Sequence, residues 1–254
     1  MKMSVFGKEY SQIYDLLYKS KDYKKETEYL NKLIKKNYKK KIKNILDIGC
    51  GTGKHASLLV DKGYQLHGVD MSPQMISIAK KNLKEKKNLS FSLSNISNLK
   101  LKKKFDVIIS VFHVMSYQTK NNELIKAFEI VKKHLIGGGI FIFDFWYGPA
   151  VLTDLPVNSI KKIRYKDMKI SRFGKPYLKP EANTIDMKYS IFIENKNTKK
   201  IKKKKEIHTL RFFFDTELEL ICRRLKFKIL KKYEWMSLKK PDLNSRNVVW
   251  VIKK

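Results

Sequence analysis

The chain has 254 residues, of which 43% are hydrophobic, enough to bury a sizeable core within one domain. Its longest apolar stretch, residues 140–146, contains Asp144 and is far too short to cross a bilayer. Its two cysteines, Cys50 and Cys222, exclude a disulfide framework and favour a reducing compartment. Residues 1–9 show no signal-peptide pattern, so we expect a cytoplasmic protein without a membrane partner.

The net charge of +32 raises the question of a nucleic-acid partner. Only six of the 56 basic residues are arginine, and the others are lysine. Specific phosphate and base recognition usually uses the planar fork of arginine, whereas lysine acts as a solvated point charge. We therefore interpret most of this charge as solvated surface and do not expect a nucleic-acid partner. The remaining charge favours an anionic small molecule.

The first forty residues have a helical pattern. Apolar and aromatic side chains recur with helical spacing at Phe6, Tyr10, Ile13, Tyr14, Leu17 and Tyr18, and a second helix is predicted over about 23–33. Strands and helices then alternate, with strands predicted at 44–48, 64–69, 89–93, 105–111 and 140–145 and helices at 54–61, 73–84 and 121–135. The run Gly137-Gly138-Gly139 is read as a helix stop. This alternation predicts a parallel sheet with helices on both faces.

The pattern changes after Trp146. Three extended segments, at 160–171, 183–194 and 201–214, are predicted to form an antiparallel insertion beside the main sheet, with turns at 174–176 and 195–197. A helix over 216–225 and strands over 227–235 and 248–252 then complete the core. We therefore divide the chain into a helical lid (1–40), a Rossmann-like core (41–150), a cap (151–214) and the completion of the core sheet (215–254).

The most specific motif is the loop that follows the first strand. Glycine stands at Gly49, Gly51 and Gly53, where a side chain would hinder a tight turn or the approach of a ligand. A dinucleotide site would need a further glycine at Lys54. The next acidic residue at a strand end is Asp70, which could accept hydrogen bonds from ribose hydroxyls. The spacing therefore indicates a nucleoside site of another kind.

This loop resembles motif I of the class I methyltransferases, whose sheet has seven strands with the last one antiparallel. The resemblance implies S-adenosylmethionine as cofactor and S-adenosylhomocysteine as product. On that basis the methionine part is bordered by Asp47, Gly49, Cys50, Gly51 and Gly53. Asp70 holds the ribose, Met71 packs against the adenine, and Asn95 stands where many relatives carry an aspartate facing the adenine amino group.

Three further stretches are similar to the N,N-dimethyltransferases of nucleotide-linked deoxyamino sugars and to relatives in surface-polysaccharide (capsule) gene clusters. They are residues 14–18 with 21–23, residues 112–118, and residues 144–149. The resemblance implies that Tyr14, Tyr23 and Phe112 contact the cofactor, and that Trp146 and Tyr147 form walls of the acceptor pocket. The chain departs from the antibiotic-sugar enzymes in a shorter link after Tyr18, and in a tyrosine, Tyr117, where some carry a histidine.

Methyl transfer is an in-line displacement, so the protein chiefly aligns the nucleophile with the carbon–sulfur bond. An amine acceptor needs little further help, whereas a hydroxyl acceptor needs a base, for which His113 is the best-placed candidate. Tyr18 and Tyr117 are candidates for orienting the acceptor. The remaining histidines, His208 among them, are read as incidental. No cluster has metal-ligand spacing, so no metal is expected.

Two alternatives remain open at this stage: an RNA-modifying methyltransferase, suggested by the charge, and a non-catalytic module that binds S-adenosylmethionine. The sequence lacks both the Asn/Asp-Pro-Pro-aromatic motif of amino-directed base methyltransferases and the Pro-Cys pair of carbon-directed ones. We expect methylation at nitrogen or oxygen of a small molecule. The sequence does not decide whether the cap covers the acceptor or pairs two subunits in a homodimer.

Overall fold

The computed structural model describes residues 8–254, apart from the side chains of Lys8, Glu9 and Gln12. Phe6, part of the predicted helical pattern, lies outside the described residues. The helices are α1 (Lys8–Leu17), α2 (Tyr23–Asn37), α3 (Lys54–Val60), α4 (Pro73–Asn82), α5 (Asn121–His134), α6 (Gly148–Thr153) and α7 (Asp215–Arg224). Within residues 8–254, no helix combines the length and the apolar character that a membrane crossing requires.

The strands are β1 (Asn44–Ile48), β2 (Gln65–Asp70), β3 (Leu89–Leu93), β4 (Phe105–Ser110), β5 (Leu135–Tyr147), β6 (Ser159–Tyr165), β7 (Met168–Lys179), β8 (Thr184–Asn195), β9 (Ile201–Phe213), β10 (Lys228–Glu234) and β11 (Asn247–Lys253). The central sheet has the order β3-β2-β1-β4-β5-β11-β10, in which β11 runs antiparallel to both neighbours. For the part of the chain that is described, this confirms the predicted fold: an α/β Rossmann-like sheet of seven mostly parallel strands.

The central strands are apolar because both of their faces are covered. On β1, Leu46 packs into a core that α5 and α7 cover, while the neighbouring Ile45 packs into a second core beneath α2, α3 and α4. The alternation continues along β4 and β5. The carboxyl ends of the parallel strands are thereby held rigidly at one edge of the sheet, where ligands bind in such folds.

The cap is joined to the central sheet. Strands β6–β9 form an antiparallel meander, as predicted. However, β9 also pairs in parallel with the end of β5, with Trp146 opposite Phe212 and Tyr147 opposite Phe213. The insertion is therefore antiparallel, as expected, and it is also joined to the main sheet at the end of β5.

Two predicted boundaries inside the cap are wrong. The segment 160–171 divides into β6 and β7 at a turn in which Lys166 has a φ of 50°. The predicted turn at 174–176 lies within β7, which continues to pair with β8 as far as Lys179. Pairing with β6 stops at Gly174, so residues 175–179 of β7 have no partner strand on that side. Proline lacks an N–H to donate, and an unpaired edge tolerates Pro176 for that reason.

The glycine run after α5 also differs from its prediction. The helix ends at His134, and residues 137–139 belong to the first part of β5. Gly138 has a φ of 78°, and the β4–β5 register shifts between Phe105 and Val107. These glycines therefore accommodate the shift in register between β4 and β5, as glycines in strands often do at a β-bulge.

The buried carboxylate of Asp106, on β4, ties the end of α2 to the start of β1. Its Oδ1 accepts the Tyr38 hydroxyl at 2.8 Å. Its Oδ2 accepts the backbone N–H groups of Lys43 and Asn44 at 2.9 and 2.8 Å. Removal of the carboxylate would leave two partly buried N–H donors and a buried hydroxyl without this acceptor, which is expensive where water has limited access.

We predict that Asp106→Ala lowers the free energy of unfolding by about 3 kcal/mol, whereas Tyr38→Phe, which removes one of the three bonds, lowers it by about 1 kcal/mol. Urea denaturation followed by circular dichroism measures both values. Equal losses for the two variants would contradict the assignment of Asp106 as the shared acceptor.

Candidate active site

The chain bends sharply where β1 ends. Gly49, Gly51 and Gly53 have φ angles of 75°, 54° and 78°, in the left-handed region that favours glycine. A Cβ at Gly49 would lie 2.4 Å from a methyl carbon of Val114, in the turn that follows β4. The glycine at this position is therefore required both by the backbone conformation and by the close approach of the neighbouring loop.

Asp70, at the end of β2, links the glycine bend to the start of α4. Its Oδ2 accepts the Gly51 N–H at 2.9 Å, and its Oδ1 accepts the Ser72 N–H at 2.8 Å. Burial raises the pKa of Asp70, and these backbone hydrogen bonds oppose the rise. Each carboxylate oxygen can accept a further hydrogen bond, so the side chain can still receive ribose hydroxyls.

Asp47 is buried in β1, two residues before the bend. Burial raises its pKa to about 7, and the nearby negative charge of Asp70 adds to this effect. Tyr14, Tyr23, Cys50, Thr52 and Phe112 line a pocket with Asp47. A carboxylate in such surroundings is stabilised by a cationic ligand, which matches the sulfonium and ammonium groups of S-adenosylmethionine.

The expected adenine contacts lie on the outer side of the same edge. The Met71 side chain is 57% exposed and packs into none of the cores. Asn95 caps a short 3-10 turn, with its Oδ1 accepting the Ser97 N–H at 3.0 Å. An amide oxygen has a second lone pair, so this bond leaves Asn95 able to accept a hydrogen bond from an adenine amino group.

The two N-terminal helices cover the glycine bend. Asp15 on α1 accepts the Thr52 hydroxyl at 2.8 Å and lies 3.6 Å from the Lys54 ammonium. On α2, the Oε2 of Glu26 lies 2.8 Å from His55 Nε2 and 2.9 Å from the Lys21 ammonium. These contacts hold α1 and α2, the predicted lid, against the glycine bend and α3.

The loop after β4 carries His113 in a strained conformation. Phe112 and His113 have φ angles of 71° and 63°, unusual for residues other than glycine. The His113 N–H donates to Asp144 Oδ1 at 2.9 Å, which holds the loop against β5. Its Nδ1 lies 3.3 Å from Asp144 Oδ2, without hydrogen-bond geometry to any described residue. Burial lowers the pKa of His113 while Asp144 opposes the shift, so the ring is neutral near pH 7.

Aromatic side chains connect the cofactor pocket to the cap. The ring of Tyr18 lies 4.8 Å from that of Tyr14 and 5.0 Å from that of Phe112. The Tyr18 hydroxyl accepts a hydrogen bond from Arg172 Nη1, on β7, at 3.2 Å. The Tyr117 hydroxyl lies 2.8 Å from Nδ1 of His208, on β9. Packed side chains thus connect the glycine bend with Arg172 and His208, and the region between α1, the end of β5 and the cap that these residues border is called the cleft below.

Most of the candidate residues from the sequence border this cleft or the cofactor pocket, but Tyr147 does not. Trp146 packs with Tyr117, its ring 6.0 Å from that of His113. Side chains alternate along a strand, so Tyr147 points to the opposite face, into the core with α7. The expectation that Tyr147 forms a wall of the acceptor pocket is therefore not supported by this geometry.

Sequence reasoning missed three polar residues of the cleft: Arg172, Glu206 and His208. All three come from the cap, whose strand pairing with the core has no signature in the sequence. The period-2 spacing of Glu206 and His208 places both on one face of β9, a signal that could have linked them. His208 was read as incidental, yet the structure places it against Tyr117.

Residues 45–139 match the methyltransferase domain family. Over 96% of its length the chain superposes on an S-adenosylmethionine-dependent methyltransferase from Clostridium acetobutylicum, covering 97% of that chain with a TM-score of 0.80 and 25% identity. The protein is an S-adenosylmethionine-dependent methyltransferase. Its domain match spans the glycine bend, Asp70 and β4.

Two curated relatives extend the similarity into the lid and cap. The chain is 22% identical over 213 residues to the dTDP-3-amino-3,4,6-trideoxy-alpha-D-glucopyranose N,N-dimethyltransferase of Streptomyces venezuelae, spanning 83% of this methyltransferase and 86% of that enzyme. It is 22% identical over 190 residues to the dTDP-4-amino-2,3,4,6-tetradeoxy-D-glucose N,N-dimethyltransferase of Saccharopolyspora spinosa, covering 74% of each. These matches confirm the resemblance on which the sequence analysis relied.

The pKa of Asp47 predicts a pH-dependent cofactor affinity. A cationic cofactor favours the ionised carboxylate, so protonation below pH 7 competes with binding. We expect the affinity for S-adenosylmethionine to rise about tenfold between pH 6 and pH 8, and Asp47→Asn to abolish most of this slope. Calorimetric titration measures it, with Glu129→Gln on the exposed face of α5 as the matched control. A wild-type affinity independent of pH would contradict the prediction.

The same raised pKa predicts that the stability of the cofactor-free fold falls as the pH rises, whereas the cofactor affinity rises with pH. Ionisation of Asp47 is disfavoured in the folded chain, so the fold loses stability as the pH rises from about 4 to about 7. We expect Asp47→Asn to raise the free energy of unfolding of the cofactor-free protein by about 2–4 kcal/mol at pH 8, although this variant binds the cofactor more weakly. An unchanged urea midpoint at pH 8 would rule this out.

Proposed function

We propose that this methyltransferase transfers methyl groups to the amino group of a nucleotide-linked deoxyamino sugar. The two curated relatives are named for such acceptors, and the chain matches most of the length of both. Such an acceptor is anionic because of its diphosphate, which agrees with the excess of basic residues in this chain.

Arg172 is the observation that carries this proposal. Its guanidinium donates to the Tyr18 hydroxyl and lies 4.6 Å from the centre of the Tyr189 ring. Among residues 8–254, no carboxylate forms an ion pair with it. A half-buried guanidinium without a counter-ion is suited to a ligand phosphate, which it can bind through two parallel hydrogen bonds. Lys161 adds a second positive charge, with its ammonium 5.5 Å from the Tyr18 ring.

The bound cofactor supplies an electrophilic methyl group at the glycine bend. The fit rests on the three left-handed glycines and on the buried Asp47, which favours a cation. Tyr18 and Tyr117 orient the acceptor in the cleft, and Trp146 forms one of its walls. His113, neutral near pH 7, accepts a proton as the nucleophile loses it. The lid excludes water from this transfer.

We place the reaction in the cytoplasm and propose that its product is a precursor of a surface polysaccharide, because that compartment supplies S-adenosylmethionine and activated sugars. The cap sheet has a second, outward face with exposed Ile160 and half-exposed Phe173, which supports pairing of two subunits. Sedimentation velocity of the purified protein tests the homodimer.

The test is a methyl-transfer assay with labelled cofactor and a panel of acceptors. We expect transfer to nucleotide-linked amino sugars and none to the matching hydroxyl sugars. Total cellular RNA serves as a further acceptor, and label in RNA instead of the amino sugars would overturn the proposal.

Within that assay, Arg172→Ala should raise the KM for the nucleotide-linked acceptor about tenfold or more while leaving cofactor affinity unchanged. Arg164→Ala is the matched control, because Arg164 is an exposed arginine on the neighbouring strand of the same sheet. Equal effects of the two substitutions would show that Arg172 contributes only general charge.

A further inference from the structure

A chain of three polar side chains crosses from the cap to the cleft. Glu206 and His208 lie two residues apart on β9 and are only 8% and 4% exposed. The Oε2 of Glu206 lies 3.0 Å from Nε2 of His208, and Nδ1 of His208 lies 2.8 Å from the Tyr117 hydroxyl. The three groups lie in hydrogen-bond sequence, and the tautomer of His208 decides the direction in which each bond runs.

The carboxylate sets that direction. An ionised carboxylate only accepts hydrogen bonds, so His208 must carry its proton on Nε2 and donate it to Glu206. In the neutral ring Nδ1 then has a lone pair and accepts the hydroxyl proton of Tyr117. With its one proton committed to His208, the Tyr117 oxygen can only accept further hydrogen bonds.

The surroundings of this chain keep it in place. The His208 ring lies 5.6 Å from the Tyr10 ring on α1 and 5.3 Å from the Tyr189 ring on β8. Burial raises the pKa of Tyr117 well above its usual value, and the neighbouring Tyr18, Tyr189, Glu206 and Asp70 add to the shift. The hydroxyl therefore remains protonated and has a proton to donate to a His208 ring whose Nδ1 carries a lone pair.

We propose that Glu206 and His208 are positioning residues that make Tyr117 an obligate hydrogen-bond acceptor towards the methyl acceptor. This inference rests on the proposed function. When an acceptor amine donates one N–H to the Tyr117 oxygen, the orientation of its nitrogen is fixed. The nitrogen lone pair then points away from Tyr117 and is available to the cofactor. The arrangement selects acceptors with a hydrogen on the nucleophile and aligns them for displacement.

The first experiment reads the tautomer of His208 directly. The chain has five histidines, so nitrogen-15 labelling gives a simple imidazole spectrum, and His208→Asn assigns the His208 signals. In the complex with S-adenosylhomocysteine we expect the neutral tautomer with the proton on Nε2. Glu206→Gln should mix the two tautomers, since an amide can donate as well as accept. A wild-type ring protonated on Nδ1, alone or on both nitrogens, overturns the proposal.

The second experiment measures kcat and KM with the best amine acceptor. We expect Tyr117→Phe and His208→Leu each to lower kcat about tenfold or more, with a smaller change in KM and an unchanged cofactor affinity. His208→Asn should retain more activity than His208→Leu, because its amide oxygen can accept the Tyr117 proton. The matched control is His67→Asn, since His67 hydrogen-bonds Ser90 and Ser92 elsewhere on the sheet.

A double-mutant cycle separates positioning from a merely structural role. If His208 acts through Tyr117, then His208→Leu adds no further loss of kcat in the Tyr117→Phe background. Additive losses, or a kcat within twofold of wild type for His208→Leu, overturn the proposal. Should His208→Leu fail to fold, His208→Phe takes its place in the cycle, because its ring fills similar space without accepting the Tyr117 proton.

The two proposals fail in different ways. If the wild-type protein methylates no nucleotide-linked amino sugar, the proposed function is wrong, and the tautomer of His208 is still read without any acceptor. If amino sugars are methylated but the tautomer is reversed or the losses are additive, the function stands and the positioning role is wrong.

Discussion

The active site depends on two carboxylates placed at the ends of adjacent parallel strands. Asp47 and Asp70 lie so close in a buried setting that the charge of one contributes to the raised pKa of the other. Asp70 accepts backbone N–H groups of the glycine bend, from Gly51, and of the start of α4, from Ser72, whereas burial and the charge of Asp70 both disfavour the ionised form of Asp47. The fold therefore bears an electrostatic cost at Asp47, as is common at sites where a protein gives up stability for function.

The rest of the molecule is built around this edge. The lid is attached to the glycine bend by Asp15 and to α3 through Glu26 and His55, so its position depends on the loop that it covers. On the other side, the strained pair Phe112 and His113 is held by Asp144. Strain at functional loops persists where the surroundings hold it, and here a buried carboxylate on β5 does so.

The sequence was sufficient for the elements whose signal is local. The strand–helix alternation and the glycine spacing predicted the central sheet and the tight bend after β1, because each depends on neighbouring residues. The run at Gly137–Gly139 was misread since glycine marks a helix end and a strand bulge equally well. Arg172, Glu206 and His208 were missed because their role comes from strand pairing between distant segments, which no local pattern encodes.

Register is what gives the cap its chemical role. The pairing of Phe212 and Phe213 with the end of β5 anchors β9, and Met187 opposite His208 sets its register against β8. A slip of one residue would turn Glu206 and His208 to the outer face and bring Ile207 towards Tyr117. The few hydrogen bonds that join β9 to β5 therefore determine whether the polar side chains of Glu206 and His208 or the apolar side chain of Ile207 face Tyr117. In this fold, the pairing of β9 with β5 and β8 thus decides which of its side chains face Tyr117.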